Sequence, residues 1–326
     1  MKIIVLGAGA IGCLVGGYLY RSGSEIVLVG RPGQVQAIRE QGLHLITPSN
    51  DYVLNLPAVT QVDQINISHD DAVFLCVKGP DTEKAVVELK SVVKDIPVFC
   101  LQNGVRNEEI AAQYFSGVYG AMLKVGAEYL KDGEVIARSD PPGLIILGCY
   151  PQGIDPLTAE ISHKLRAAGF WVKPSDSVMA YKWGKLRGNL DNIIPAITNA
   201  TGKEAELIVK AAKQEFDGLL NEAGIKWISQ VEVAKEWPEM IAPENFDPVR
   251  RIRNSTWQSL TRKSSSVETE FLNGEVVRLA KKLGRQAPVN EKLTQLSQQM
   301  AARRELPGKY SPRELARVLG LSCAAD

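Results

Sequence analysis

In the run MAYKWGKLRGNLDNIIPAITNA, Lys185, Asn189 and Asn192 stand at i, i+4 and i+7, the spacing of one helix face. One ammonium and two neutral amides lie beside an apolar side of Leu186, Leu190, Ile193 and Ile194. A solvated face would carry mixed charges instead, so the stripe suits a polar cleft. Alternatively, the asparagines cap or bridge neighbouring helices. An ammonium in such a cleft can stabilise charge growing on a carbonyl oxygen and can give it a proton. Lys78 and Asn103 are further candidates. They close the runs DAVFLCVK and IPVFCLQNG, which read as buried parallel strands. Ligands of open α/β sheets sit beyond the carboxyl ends of the strands, although an isolated strand-end lysine is commonly just solvated.

The element that would present a ligand to these groups opens the chain. In MKIIVLGAGAIG, the apolar run Ile3 to Leu6 enters the turn Gly7, Ala8, Gly9, Ala10, Ile11, Gly12. Leu14, Val15, Tyr18 and Leu19 then follow at helical spacing. Strand, glycine turn and helix form the start of a dinucleotide-binding βαβ unit. Gly7 allows the tight turn, Gly9 lets the backbone approach a pyrophosphate, and Gly12 lets the helix pack on the strand. Uncharged residues 3–20 after a lysine also resemble a signal peptide or membrane helix. Five glycines in that stretch, and a second strand from Ser24 to Val29, argue against it. That strand, EIVLVGR, ends at Arg31, which complements the 2′-phosphate of NADP where an acidic residue would bind the ribose of NAD. The plain alternative is a solvated loop arginine.

The 326 residues suit two domains. A net charge of +1 gives no reason to invoke nucleic acid or an anionic membrane. The five cysteines form no CxxC and read as reduced thiols of a cytoplasmic protein. Three scattered histidines, His44, His69 and His163, read as surface or loop residues and support no metal site.

Helix-like residues 32–41 precede two short strands, LHLIT and YVLNL, around the turn PSND. A helix over about 81–93 takes Asp81 as its cap. VYGAML, GEVIAR and GLIILG read as strands extending the sheet with antiparallel edges, and FWVKPS as the last strand, stopped by Pro174. From Val178 onward the pattern is almost entirely helical. The expected fold class is α/β, an N-terminal Rossmann-type dinucleotide-binding domain over 1–174 followed by an all-helical C-terminal domain over 175–326. Within the second half, Ser255 reads as a helix N-cap, and Glu268 as a helical residue beside Phe271, Leu272 and Val276. Neither is called catalytic on residue type alone.

Together these stretches resemble the ketopantoate reductases (2-dehydropantoate 2-reductases) over about residues 1–300. The matching motifs are GAGAIG, the strand-end Arg31, CVK, LQNGVRNEE, KWGKLRGNLDN, STWQSL with VETEFLNGE, and LGRQAPVN. The resemblance implies NADPH as hydride donor, a 2-keto acid substrate, 2-dehydropantoate, and an active site in the cleft between the two domains. It implies Lys185 as general acid, Glu268 in the catalytic set, and Asn103, Asn189 and Ser255 as substrate ligands. Lys78 and Asn103 then border the cofactor. The family often carries an asparagine where this chain has Ile193, so Asn192, one position earlier, is the candidate replacement. The segment from Ser255 to Glu268 is one residue long for the family, which makes Thr256 an alternative to Ser255. Other readings are a different 2-keto acid or imine as substrate, or a non-catalytic NADP(H)-sensing module. A homodimer stays open. The tail after 303 lies outside the resemblance, with SPRE as a capping box.

Overall fold

Ile3 to Leu6 are apolar without a break because both faces of their strand are covered. In a computed structural model, which describes residues 1–238, 254–263 and 267–321, β1 is Lys2–Leu6. Ile3 and Val5 face one buried cluster, and Ile4 and Leu6 the other. Burial of such side chains contributes about 1.5–3 kcal/mol each. The chain divides into two units, Met1–Lys182 and Trp183–Asp326.

The first unit continues with α1 (Ala10–Arg21), β2 (Glu25–Val29), α2 (Pro32–Gln41), β3 (Leu43–Ile46), β4 (Asp51–Leu54), β5 (Ala58–Val59) and β6 (Ala72–Leu75). After these come α3 (Thr82–Val92), β7 (Val98–Cys100), α4 (Asn107–Ala111), β8 (Val118–Val125), β9 (Ala127–Glu128) and β10 (Glu134–Ala137). The unit closes with β11 (Gly143–Cys149), α5 (Pro156–Ala167), β12 (Trp171–Pro174) and the start of α6 (Val178–Asn189). Its main sheet has the order β12-β11-β8-β7-β6-β1-β2-β5. Every pairing in it is parallel except β11 with β8.

Two expectations change here. GEVIAR does not extend the main sheet: β10 pairs parallel with β3 and antiparallel with β9, in a second sheet of order β4-β3-β10-β9. Its alternate residues Val135 and Ala137 join the cluster around α1, so the alternation was real but served another sheet. Asp81 stands at the N-cap of α3 but makes no side-chain capping bond.

In the second unit the described helices are α7 (Ile193–Thr198), α8 (Lys203–Glu222), α9 (Gln230–Glu236), α10 (Ser255–Thr261), α11 (Asn273–Lys282), α12 (Pro288–Ala302) and α13 (Pro312–Val318). The run from Met179 to Ala200 is therefore not one helix. It breaks between Asn189 and Ile193. Pro195 is the cause: it has no N–H, and inside a continuous helix its ring would strike the carbonyl of Asp191. At the third position of a new helix it is tolerated. Glu268 likewise begins a separate 3₁₀ turn, Glu268–Phe271, ahead of the helix that carries Val276.

The tail belongs to this unit's core. Ser311 Oγ accepts from Glu314 N at 3.2 Å, and Glu314 Oε2 accepts from Ser311 N at 2.8 Å, the expected capping box. Leu315 and Ala316 are fully buried. Arg313 also pairs with Glu204 of α8 at 3.0 Å.

Candidate active site

The glycine turn sits where three strands end. Gly7 N and Ala8 N both donate to Val29 O, at 2.9 and 3.0 Å, and Cys76 N donates to Leu6 O at 2.7 Å. The ends of β1, β2 and β6 are thereby stitched together. Gly7 has φ +112°, and a Cβ there would lie 2.6 Å from Val77 N. A Cβ on Gly12 would collide with Gly7 O, so α1 approaches the turn as only glycine permits. Gly9 differs: its Cβ would meet nothing within 4 Å. The first turn of α1, Ala10 to Gly12, has no side-chain cap and no acidic residue. Its N–H groups and dipole therefore fit an anion such as a pyrophosphate. Arg31 is exposed at the N-cap of α2, with no capping bond from its side chain.

Lys78 is not the last residue of its strand. β6 ends at Leu75, and Lys78 stands half-buried at the N-cap of the 3₁₀ turn Gly79–Asp81. Asn103 follows β7 in a loop that turns at Gly104, φ +86°. A buried network supports that loop from beneath. Asn107 Nδ2 donates to Asn103 O at 2.8 Å, and Lys182 Nζ donates to Gln102 O at 3.1 Å. Gln102 Nε2 donates to Thr82 Oγ1 at 2.9 Å, which donates to Asn107 Oδ1 at 2.8 Å.

Lys182 also pairs with Glu108; they are 3% and 0% exposed. Burial pushes the Glu108 carboxyl up, and the Lys182 ammonium offsets this only in part. The second oxygen of Glu108 finds no hydrogen-bond partner among the described residues. Gln102, Asn107, Glu108 and Lys182 have no place among the expected site residues. Their signal lay inside the motifs LQNGVRNEE and YKWGK, as polar residues too many for a simple surface.

Lys185 and Asn189 are half-buried, one turn apart on α6. Gly184 beside Lys185 admits no side chain, because its Cβ would collide with Ile228 O. Asn192 lies in the turn after α6, at the N-cap of α7, where its N–H donates to Asn189 O at 3.1 Å and its side chain makes no capping bond. Its carbonyl accepts from Asn254 Nδ2 at 2.9 Å, while Leu190 O accepts from Asn273 Nδ2 at 3.3 Å. Two amides thus satisfy carbonyls that the broken helix leaves open.

Asn254, not Ser255, is the N-cap of α10, accepting from Trp257 N at 3.0 Å. Ser255 is the first helical residue and exposed, whereas Thr256 is buried. Glu268 is half-buried.

Among the described residues no group of His, Cys, Asp and Glu could hold a metal ion, and no helix is long and apolar enough to cross a membrane. Cys13, Cys76, Cys100 and Cys149 are free thiols, and Cys323 lies outside the described residues. His69 and His163 are exposed, but His44 is half-buried in β3.

The family described as Ketopantoate reductase PanE/ApbA matches residues 3–152, and its C-terminal counterpart matches residues 177–301. A 2-dehydropantoate 2-reductase of Pyrococcus horikoshii is 29% identical over 304 residues, covering 89% of this chain and 94% of that protein. The crystal structure of a PanE/ApbA family ketopantoate reductase from Ralstonia eutropha JMP134 superposes with a TM-score of 0.79 at 30% identity. That comparison covers 93% of this chain and 99% of the other. D-mandelate dehydrogenase with NADH and anilino(oxo)acetate shares the fold at TM-score 0.80 and 24% identity, over 93% of this chain and 99% of that one. A glycine turn shaped for a dinucleotide, the Lys185–Asn189 face and matches along both units converge: the chain belongs to the ketopantoate reductase family.

Proposed function

We propose that the chain reduces 2-dehydropantoate to pantoate with NADPH, with Lys185 as general acid. Membership of the family makes it an NADP-dependent oxidoreductase. The observation that carries the finer reading is the pair Lys185 and Asn189, one turn apart on α6. When bound, NADPH supplies the hydride that reaches the 2-keto carbon. The turn Gly7 to Gly12 and the first turn of α1 hold the pyrophosphate, and Arg31 takes the 2′-phosphate. As hydride arrives, negative charge grows on the keto oxygen. Lys185 Nζ stabilises that charge and gives the oxygen its proton, leaving a hydroxyl. Asn103 and Asn189 orient the reactants through hydrogen bonds that add no charge, and Lys78 serves the cofactor side. Ser255 takes the substrate's carboxylate side and Glu268 its hydroxyl side. Asn192, in the turn that directly follows α6, is the candidate to complete the substrate set in place of the asparagine the family often carries at Ile193.

Ile193, buried where the family often carries an asparagine, favours one second reading, in which the machinery serves another 2-keto acid. Mixing purified protein with NADPH and 2-dehydropantoate, and following nicotinamide absorbance, decides between them. Rapid oxidation supports the first reading. Oxidation with other 2-keto acids alone supports the second. Silence with every acceptor despite NADPH binding overturns both and leaves a sensing module.

A further inference from the structure

No acidic residue stands at the end of β2 in sequence, which is one reason to read Arg31 as a 2′-phosphate ligand. The fold nonetheless brings a carboxylate to that corner from a distant segment. The turn between β9 and β10 lies over the first turns of α2. A Cβ on Gly33, the second residue of α2, would stand 2.5 Å from Asp132 Oδ2. A Cβ on Gly133 would meet Ala37 Cβ at 3.0 Å. Gly133 N donates to Gln34 Oε1 at 2.7 Å, and buried Gln34 donates in turn to Cys13 Sγ at 3.1 Å. Gly133 O accepts from His44 N at 2.8 Å. Both backbone groups of the residue after Asp132 are therefore fixed, and Tyr129 OH donates to the Asp132 carboxylate. Burial raises the Tyr129 pKa, Asp132 raises it further and Arg31 lowers it, so both charges reach one hydroxyl.

We propose that Asp132 sets the balance between NADPH and NADH: its carboxylate, seated against the turn that Arg31 caps, opposes the 2′-phosphate and weakens the preference Arg31 creates. The inference rests on the 2′-phosphate role proposed for Arg31. A carboxylate and a phosphate seek the same donors, the N–H groups that open α2 and the guanidinium. They also repel one another. The ribose diol of NADH carries no charge and escapes that repulsion. Asp132 is exposed, so its neutral variant leaves the core intact.

The test is the dissociation constant of each dinucleotide, read by nucleotide fluorescence, for the parent, Asp132→Asn, Asp132→Glu and Arg31→Ala. Asp132→Asn should tighten NADPH about 5- to 10-fold at low ionic strength, change NADH less than about 2-fold, and lose its advantage as salt rises. Asp132→Glu should stay near the parent. Unchanged or weaker NADPH binding in Asp132→Asn, or equal changes for both dinucleotides, overturns the role of Asp132. Equal losses of both in Arg31→Ala would sink the 2′-phosphate reading itself. A selective NADPH loss there, with no response in Asp132→Asn, removes Asp132 alone.

Discussion

In the proposed mechanism, reduction, as opposed to binding, depends on Lys185. Lys185→Ala should lower turnover by about 10²-fold or more while NADPH affinity stays near the parent value. Steady-state rates and a binding titration check this together, and normal turnover would remove Lys185 from the mechanism. Gly12→Ala tests the opposite end of the task. Its Cβ has no room against Gly7 O, so dinucleotide binding should fall for NADPH and NADH alike. The placement of these residues was legible because it is local: a glycine needed by a turn, or a lysine and an amide one helical turn apart. Asp132 was not legible. It reaches the end of β2 only because β10 pairs with β3, and nothing near Arg31 in the sequence announces that. Ser255 was misjudged by a single position, because Asn254 is an equally good cap and precedes it.

At the level of elements, the buried pair under the Asn103 loop and the broken helix differ most from a reading by pattern. Lys182→Met leaves the Glu108 carboxylate buried without its ammonium, which should cost about 3–5 kcal/mol of stability near neutral pH. The pH dependence has a definite sign. Burial raises the folded carboxyl above its unfolded value of about 4.3, so stability is retained below that pH and lost as pH rises past it. The deficit of Lys182→Met should therefore shrink near pH 4, and Glu108→Gln added to it should recover part of the loss. Urea titrations at two pH values measure both. The break after Asn189 was foreshadowed by Pro195, but helical periodicity on both sides disguised it. Elements of ordinary type fared better: the strand and helix that enclose the glycine turn, α2 over 32–41, and the β3–β4 pair stand where their patterns place them. Sheet membership was a different matter, since alternation reveals a strand's buried face and says nothing about its neighbour.

Over the whole molecule, the two-part organisation followed from a change of pattern, and the tail took its role only from packing. Leu315→Ala should cost about 2–4 kcal/mol, because the side chain is fully buried against the second unit's core. Thermal unfolding reads that loss, and a shift near zero would return the tail to solvent. His44 to Ile46 find their parallel partners in Glu134 to Ile136, strands far apart in the order of synthesis. As the polypeptide leaves the ribosome, the β3–β4 hairpin can already lay Leu43 and Leu45 on α1 at Gly17, but one backbone edge of β3 is open. That edge stays unfilled until β10 arrives. An open strand edge is a template for pairing with another chain, so in the nascent protein the outer edge of β3 is exposed to wrong partners for the whole stretch of synthesis between β4 and β10.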